Sequence, residues 1–492
     1  MIDTAEQFTR KEILPVLDRL DKQEEGLMPE LIRKAGDLGF CGVDAPEAYG
    51  GLGLGKNLSA RILEFLSRNA SFSVTIGVTS GISQVALAWF GTDEQKAKYL
   101  PRLTSGEWLG AYCLSEPNSG TDALSLTTRA DRRGTKWVLN GTKMWISNAK
   151  WAEFFLVMAK VDGERVSAFL VERDFPGVSI SREEHKLGLK GSSTARVVLE
   201  DAEVPLDNML YEEGRGHVVA LNALNMGRFK LSSMSIGPAR DAIGLAAAYA
   251  LDRRQFGQPI ANFGLMQKKF ALMAGLFFAA ESMIYRTGAG IDDAFHRYGS
   301  SPEGNRKAAE EMAVECSACK VFSTEAEDFI IDEALQCYGG YGFTEEFPIA
   351  RHYRDARISR IYEGTNEINR VFISERLAKR AKEGRASLKS SGDSFISELA
   401  GEVMDRPLDG QVVVGAASDL IILAYAEQSA RLRAKRLGGI AEEMYRGFTG
   451  WANARAAEAY QRATGRATTL SAVGFVDWAG IAESVYEKKG PL

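Results

Sequence analysis

Trp137-Val138-Leu139-Asn140-Gly141-Thr142-Lys143-Met144-Trp145-Ile146 is the stretch on which the fold turns. Two short apolar runs flank Asn-Gly, the dipeptide that supplies both positive-φ residues of a type I′ turn, so the pattern predicts a β-hairpin. Residues 154–159, 166–171 and 195–199 are further short apolar runs, punctuated by Asp162-Gly163, Pro176-Gly177 and Pro205. A β-domain is therefore expected over 111–215.

The period changes on both sides. Upstream, residues 4–21 place Phe8, Ile13, Leu14, Val16 and Leu17 near helical spacing, and 29–38 and 58–65 continue it. An N-terminal helical domain is expected over 1–110. Within it, Gly50-Gly51-Leu52-Gly53-Leu54-Gly55-Lys56-Asn57 is a near miss to a phosphate-binding P-loop. No strong strand precedes it, and Asn57 stands where Ser or Thr would meet Mg²⁺, so it reads as a flexible interhelical loop. Downstream, residues 230–254, 262–285, 305–334 and 364–382 read as helices, with only Gly237-Pro238 interrupting the first. They define a helical domain over 216–384. Lys389-Ser390-Ser391-Gly392-Asp393 reads as a linker, and 418–436 and 451–465 as helices of an extension over 385–492.

At 492 residues the chain exceeds the roughly 250–300 that one core supports. Hydrophobic residues make up 45% and charged residues 25%, which excludes disorder and collagen-like structure. The net charge of −5 does not suit a general nucleic-acid binder, and from Arg385 onward 13 basic residues balance 13 acidic ones. Basic runs at Arg376 to Arg385 and Arg431 to Arg436 read as solvated helix faces, with acidic lipid headgroups the sharper alternative. Five Cys form no disulfide framework; Cys316-x-x-Cys319 lies in a helical stretch without a preceding strand and reads as two packing thiols. Four His without a close pair give no metal site. No Gly-x-Gly-x-x-Gly follows a strand, so a Rossmann domain is not expected. The acidic start lacks a signal sequence, and the longest apolar stretch, 270–280, is about half the ~20 residues a bilayer span needs. A cytoplasmic location is expected, with the mitochondrial matrix open if a presequence has been removed.

Four segments carry chemistry. Tyr112-Cys113-Leu114-Ser115-Glu116-Pro117-Asn118-Ser119-Gly120-Thr121-Asp122 packs hydroxyls and a Gly into a loop whose backbone N–H groups suit an anionic or carbonyl-rich ligand. Trp145-Ile146-Ser147-Asn148 pairs an indole for stacking with a hydroxyl donor. Arg253-Arg254-Gln255-Phe256-Gly257 ends a helix with guanidinium groups fit for phosphate. Last, Gln336-Cys337-Tyr338-Gly339-Gly340-Tyr341-Gly342 precedes Ile361-Tyr362-Glu363-Gly364-Thr365-Asn366-Glu367, where a carboxylate enters a helix and acts as a general base if desolvated. Each has a bland reading: Trp145 as core, the Arg residues as ion-pair partners, Glu363 as a helix N-terminal charge.

Together these motifs resemble the acyl-CoA dehydrogenase family of flavoproteins over about residues 1–380. The resemblance implies a mostly α fold with a middle β-barrel domain, between an N-terminal helical domain and a C-terminal four-helix bundle, with the helical extension added. It implies bound FAD and oxidation of an acyl-CoA to the trans-2-enoyl-CoA. Glu363 would remove the α-proton, the β-hydride would pass to flavin N5, and the backbone N–H of Glu363 would help bind the thioester carbonyl. Tyr112, Leu114, Ser115, Gly120 and Thr121 would border the isoalloxazine with Trp145, Ile146 and Ser147. Arg253, Gln255 and Phe256 would reach the FAD of a neighbouring subunit. Gln336, Cys337, Gly339 and Gly340 would approach its adenine end, and Thr365 and Glu367 its phosphates. Thr121, Ser192, Asn225, Arg228 and Gly364 match substrate-contact positions. A homo-oligomer is implied, with electron-transferring flavoprotein as electron acceptor.

Two departures bear on this. Phe263-Gly264 stands where many relatives have an aromatic or His followed by Gln. Gly227 stands where a few relatives carry the base, which favours Glu363. Residues 222–229, 262–267 and the extension are similar to the very-long-chain branch, in which the extension leaves a dimer able to meet a membrane. Ser83 and Ala86, on the helix closing the family's acyl tunnel, leave room for a long tail, while Trp89 one turn on shortens it. Long-chain acyl-CoA in fatty-acid β-oxidation is the expected substrate. A short, branched or aromatic thioester, or a flavoprotein used for assembly, are the alternatives; a nucleic-acid-associated relative would need the basic tail this chain lacks.

Overall fold

The computed structural model describes residues 1–385, 394–469 and 476–490, so the expected linker at 389–393 lies outside the described residues. The chain forms two compact units, Met1–Met234 with Gly288–Met312, and Ser235–Thr287 with Ala313–Leu492.

In the first unit, helices Leu27–Asp37 and Lys56–Leu66 bury one apolar face each. The helix expected over 4–21 is interrupted: helix Ile2–Phe8 gives way to a π turn Thr9–Ile13, a 3₁₀ turn Leu14–Val16 and helix Leu17–Asp21. Pro15 lacks the N–H that a regular ladder needs there. Ala70–Phe90 is long and apolar enough to span a bilayer, but 89% of its most apolar window is buried inside the protein, as in a core helix.

Among the described residues, the strands of the first unit form one open mixed sheet. Its order is Val178–Ile180, Thr194–Pro205, Lys136–Ser147, Arg129–Arg133, Phe154–Val161, Arg165–Glu172 and Met209–Leu210. Gly110–Cys113 runs parallel to Phe154–Val161. The hairpin expected at Asn140-Gly141 does not form. Lys136–Ser147 is one continuous strand, and the turn lies earlier, at Gly134, where the chain folds back from Arg129–Arg133. Asn140-Gly141 is a bulge instead. Asn140 Oδ1 accepts from the Asp201 N–H at 2.8 Å, and a Cβ on Gly141 would lie 2.4 Å from Thr128 Oγ1. The glycine is there for close backbone approach, not for reversal.

The glycine-rich loop at 50–57 is packed rather than flexible. Leu52, Gly53 and Leu54 donate backbone bonds to Gly42, Ala45 and Val43, and a Cβ on Gly51 would sit 2.1 Å from the Ala45 carbonyl oxygen. Lys56 holds no phosphate-binding pose. Its Nζ bonds Asp44 Oδ2 at 2.5 Å, while Lys230 Nζ takes Oδ1 at 2.9 Å. Burial pushes the Asp44 carboxyl up, but the two ammonium groups outweigh it and hold it far below the usual range.

The second unit is helical. Gly216–Asp252 passes through Gly237-Pro238 unbroken, and the helix expected over 305–334 is split at Met312 into Pro302–Glu311, which belongs to the first unit, and Ala313–Tyr338. Gly264–Tyr298 and Asn366–Lys382 complete the long helices. The extension adds Phe395–Met404, Gln411–Leu437, Ile440–Thr464 and Trp478–Lys488, and it packs directly on them. Phe448 meets Phe322 edge-on at 5.8 Å, Tyr486 meets Phe270 at 4.9 Å, and the Tyr425 hydroxyl lies 2.8 Å from Thr287 Oγ1. Cys316 and Cys319 are buried on Ala313–Tyr338, and burial pushes the Cys319 thiol up to about 12, which leaves it inert as a nucleophile.

Candidate active site

Glu363 sits at φ +57° and is followed by Gly364 at φ +80°. A glutamate in the left-handed region is strained, and such strain persists only where the surroundings over-determine the turn. Here they do. Lys320, fully buried, donates from Nζ to the Gly364 carbonyl at 2.8 Å and to Asn366 Oδ1 at 2.6 Å. Asn369 Nδ2 donates to the carbonyls of Gly364 at 2.8 Å and Thr365 at 3.0 Å. Thr365 caps the next helix by accepting from the Ile368 N–H. The Glu363 Oε2 atom is shielded from solvent.

Acting with Glu363 on the Tyr362 hydroxyl is a second carboxyl, Glu327. Burial, reinforced by Asp328 and Asp355 against hydrogen bonds from Ser359 and Ser235, raises its pKa to about 8. Burial, then Glu327 and Glu363, likewise pushes the Tyr362 hydroxyl far up. The upward direction favours the neutral acid at Glu327 and limits the charge it adds near Glu363.

In the same unit, Arg254–Gln255 and Gln258–Pro259 form the short hairpin that Asn140-Gly141 does not. Phe256 at φ +52° and Gly257 at φ +81° make its two positive-φ positions. Arg253 and Gln255 are exposed, Phe256 is 94% exposed, and the Arg253 guanidinium lies 5.7 Å from the Tyr341 ring centre. The hairpin therefore neighbours the segment 336–343, where Gln336, Gly339 and Gly340 are exposed too. Cys337 is buried, and burial pushes its thiol up to about 12. Glu367 is exposed, and its carboxyl is lowered by a hydrogen bond from its own N–H.

The first unit shapes the loop 115–122 around Glu116. Oε1 accepts from Lys143 Nζ at 2.6 Å and from the N–H and hydroxyl of Thr128; Oε2 accepts from the N–H and hydroxyl of Thr127. Five bonds on one carboxylate leave Gly120 and Thr121 displayed at the surface. Nearby, Trp145 has φ +56° and is 57% exposed, so the core reading of this indole is wrong. Its backbone is pinned on the far side by Asn148, whose Nδ2 donates to the carbonyls of Thr75 and Gly110 at 2.9 Å. Tyr112, Ser115 and Ser147 are half-buried, while Leu114 and Ile146 belong to the core. Ser192 is buried and its hydroxyl donates to the Leu189 carbonyl at 3.0 Å, so it serves its own turn. Asn225 and Arg228 are buried together, the guanidinium donating to Asn225 Oδ1 at 3.1 Å.

Sequence reasoning missed Lys320, Asn369, Lys143 and Glu327, and did not see Glu116 as the staple of its loop. The one available signal was a charged residue inside an apolar helical stretch, as in Ala318-Cys319-Lys320-Val321-Phe322.

A fold of this kind, with a strained glutamate turn and an exposed indole, defines a class that comparison with known proteins makes explicit. The N-terminal, middle and C-terminal domains of acyl-CoA dehydrogenase match residues 1–107, 111–202 and 214–378. The chain belongs to the acyl-CoA dehydrogenase family. A probable acyl-CoA dehydrogenase of Bacillus subtilis is 46% identical over 83% of this chain and 70% of its own length. The human short-chain specific enzyme is 37% identical over 77% of this chain and 89% of its own. Human very long-chain specific acyl-CoA dehydrogenase is 39% identical over 69% of this chain and 51% of its own. Among solved structures, an acyl-CoA dehydrogenase from Bacillus anthracis complexed with FAD is 37% identical, with a TM-score of 0.92 over 100% of this chain and 95% of that one.

Proposed function

We propose that this protein is an FAD-dependent dehydrogenase that converts a long-chain acyl-CoA to the trans-2-enoyl-CoA in fatty-acid β-oxidation, with Glu363 as the base. The observation that carries the reading is a carboxylate on an over-determined left-handed turn, one oxygen withdrawn from water, in a chain of this family. The residues present fit the cofactor. Trp145 offers an exposed flat face, a Cβ on Gly120 would meet nothing within 4 Å, and Arg253 and Gln255 are exposed and of the chemistry that receives a diphosphate.

When bound, FAD supplies the acceptor for the β-hydride. Glu363 takes the α-proton, and its backbone N–H donates to the thioester carbonyl as negative charge develops there. Lys320 and Asn369 fix the turn, so that the carboxylate meets the substrate without reorganising. An electron-transferring flavoprotein is the acceptor this reading implies. A homo-oligomer, a dimer first, agrees with the exposure of Phe256 and of Phe343, 94% and 89%. The long-chain preference is supported by the extension and by the small buried Ser83 and Ala86; Trp89, which packs on Phe295, tells against it.

Anaerobic addition of palmitoyl-CoA to the purified yellow protein tests this. Bleaching in wild type and almost none in Glu363→Gln is expected. Equal bleaching in both overturns the base assignment. A panel from butyryl-CoA to stearoyl-CoA ranks chain length, and a preference for the short end overturns the long-chain reading alone.

A further inference from the structure

The turn that holds Glu363 is not secured by the catalytic bundle alone. Lys320 Nζ joins the Gly364 carbonyl to Asn366 Oδ1. Asn366 Nδ2 passes the connection to Glu325 Oε1 at 3.0 Å. Arg370 grips Glu325 with both terminal nitrogens, at 2.8 and 2.9 Å. Its third nitrogen, Nε, reaches Asp419 Oδ1 at 2.7 Å, and Arg462 takes Asp419 Oδ2 at 2.7 Å. Asp419 and Arg462 lie on Gln411–Leu437 and Ile440–Thr464, the two longest helices of the extension. On the same helix as Asp419, Ser418 donates to the Arg370 carbonyl and lies 2.6 Å from Ser374 Oγ.

Resting on the reading of Glu363 as base, we infer that Asp419 of the extension is a positioning residue for that base, acting through Arg370, Glu325, Asn366 and Lys320. The geometry favours a positioning role over simple stability. Arg370 has one planar fork to distribute, and without Asp419 its Nε side is free to swing away from the register that fixes Glu325. The Asn366 amide donates to Glu325 and to Thr324 Oγ1, at 3.0 and 3.1 Å, and Glu325 is the charged acceptor of the two, so a shift of the guanidinium turns Asn366 and loosens Lys320 on the Gly364 carbonyl. Asp419 also lines a cavity of about 340 Å³ with Phe322, Trp451 and Arg462. Truncation there admits water instead of leaving an empty core.

The test uses the flavin-loaded full chain as wild type, Asp419→Ala, Asp419→Glu and Glu363→Gln. Palmitoyl-CoA, with butyryl-CoA alongside, reduces the flavin anaerobically across a range of pH, and amide hydrogen exchange is followed in the peptide carrying Glu363 to Thr365. Asp419→Ala is expected to reduce the flavin about tenfold more slowly at an unchanged half-saturating concentration. Its pH profile departs from that of wild type, the peptide exchanges faster, and Asp419→Glu restores all three. Wild-type rate, profile and exchange in Asp419→Ala, with Glu363→Gln inactive, overturn the inference and leave the base assignment standing. If Glu363→Gln reduces the flavin as fast as wild type, the base assignment falls and exchange alone decides the coupling: faster exchange sustains it, unchanged exchange ends it. Should Asp419→Ala not fold, Arg462→Gln, on the exposed side of Asp419, is read by the same measurements, and no change in them overturns the inference.

Discussion

Lys143 Nζ lies 2.6 Å from Glu116 Oε1, with the lysine wholly enclosed and the glutamate 3% exposed. Burial lowers the lysine's pKa and Glu116 opposes that; burial raises the glutamate's, but the ammonium and the threonine donors overcome it and bring it to about 2. We expect Lys143→Met to cost about 3–5 kcal/mol, because it strands a buried carboxylate. Urea unfolding at pH 7 measures this, and a loss well under 1 kcal/mol rejects it.

The same pair sets an acid limit. The folded-state value of Glu116, about 2, lies below the ordinary 4.5. Its stabilisation is therefore present above pH about 4.5 and is lost as pH falls through about 2. Melting curves across this window should be steeper in wild type than in Glu116→Gln, which has no proton to gain.

Glu327 has the opposite sign. Its folded-state value, about 8, lies above 4.5, so its contribution is complete below pH about 4.5 and is lost as pH rises through about 8. Relative to wild type, Glu327→Gln should gain stability on the order of a few kcal/mol by pH 9 and little at pH 4.5. Parallel stability curves for the two proteins would refute a buried neutral carboxyl.

Trp145 and Gly51 separate display from packing. Trp145→Ala removes an exposed ring, so stability should change by about 0.5 kcal/mol or less while flavin retention on gel filtration falls sharply. Gly51→Ala drives a methyl to within 2.1 Å of the Ala45 carbonyl oxygen and should cost about 1–3 kcal/mol or more, with flavin affinity unchanged in the folded fraction. Reversed outcomes would mean that the roles of the two positions are exchanged.

Much of this was legible in the residues. Helical period placed Leu27–Asp37, Lys56–Leu66 and Asn366–Lys382 within a few residues, and apolar runs placed Phe154–Val161 and Arg165–Glu172. Asn140-Gly141 misled because turn chemistry is local, whereas the register was fixed by Asp201 and Thr128, far away in sequence. Glu363, Trp145 and the Arg253 hairpin were visible as motifs. Lys320 and Asp419 were not, because each draws its meaning from partners on other helices, and Asn369 was not, because the carbonyls it holds belong to a turn whose left-handed path shows only in three dimensions; the charge of Lys320 inside an apolar stretch was the one local hint.

The first unit recovers Gly288–Met312 after a long excursion of the chain. Asp292 in that returning segment accepts the Lys56 N–H on both carboxylate oxygens, at 2.8 and 2.9 Å, and Phe295 covers Trp89 at 5.3 Å. During synthesis, then, a ribosome must release some three hundred residues before the first helix start to need this cap can obtain it. Nascent chains halted short of that point carry an open apolar seam, which makes them natural clients for chaperones, and an expression truncation ending at residue 234 should be insoluble however well its sheet is formed.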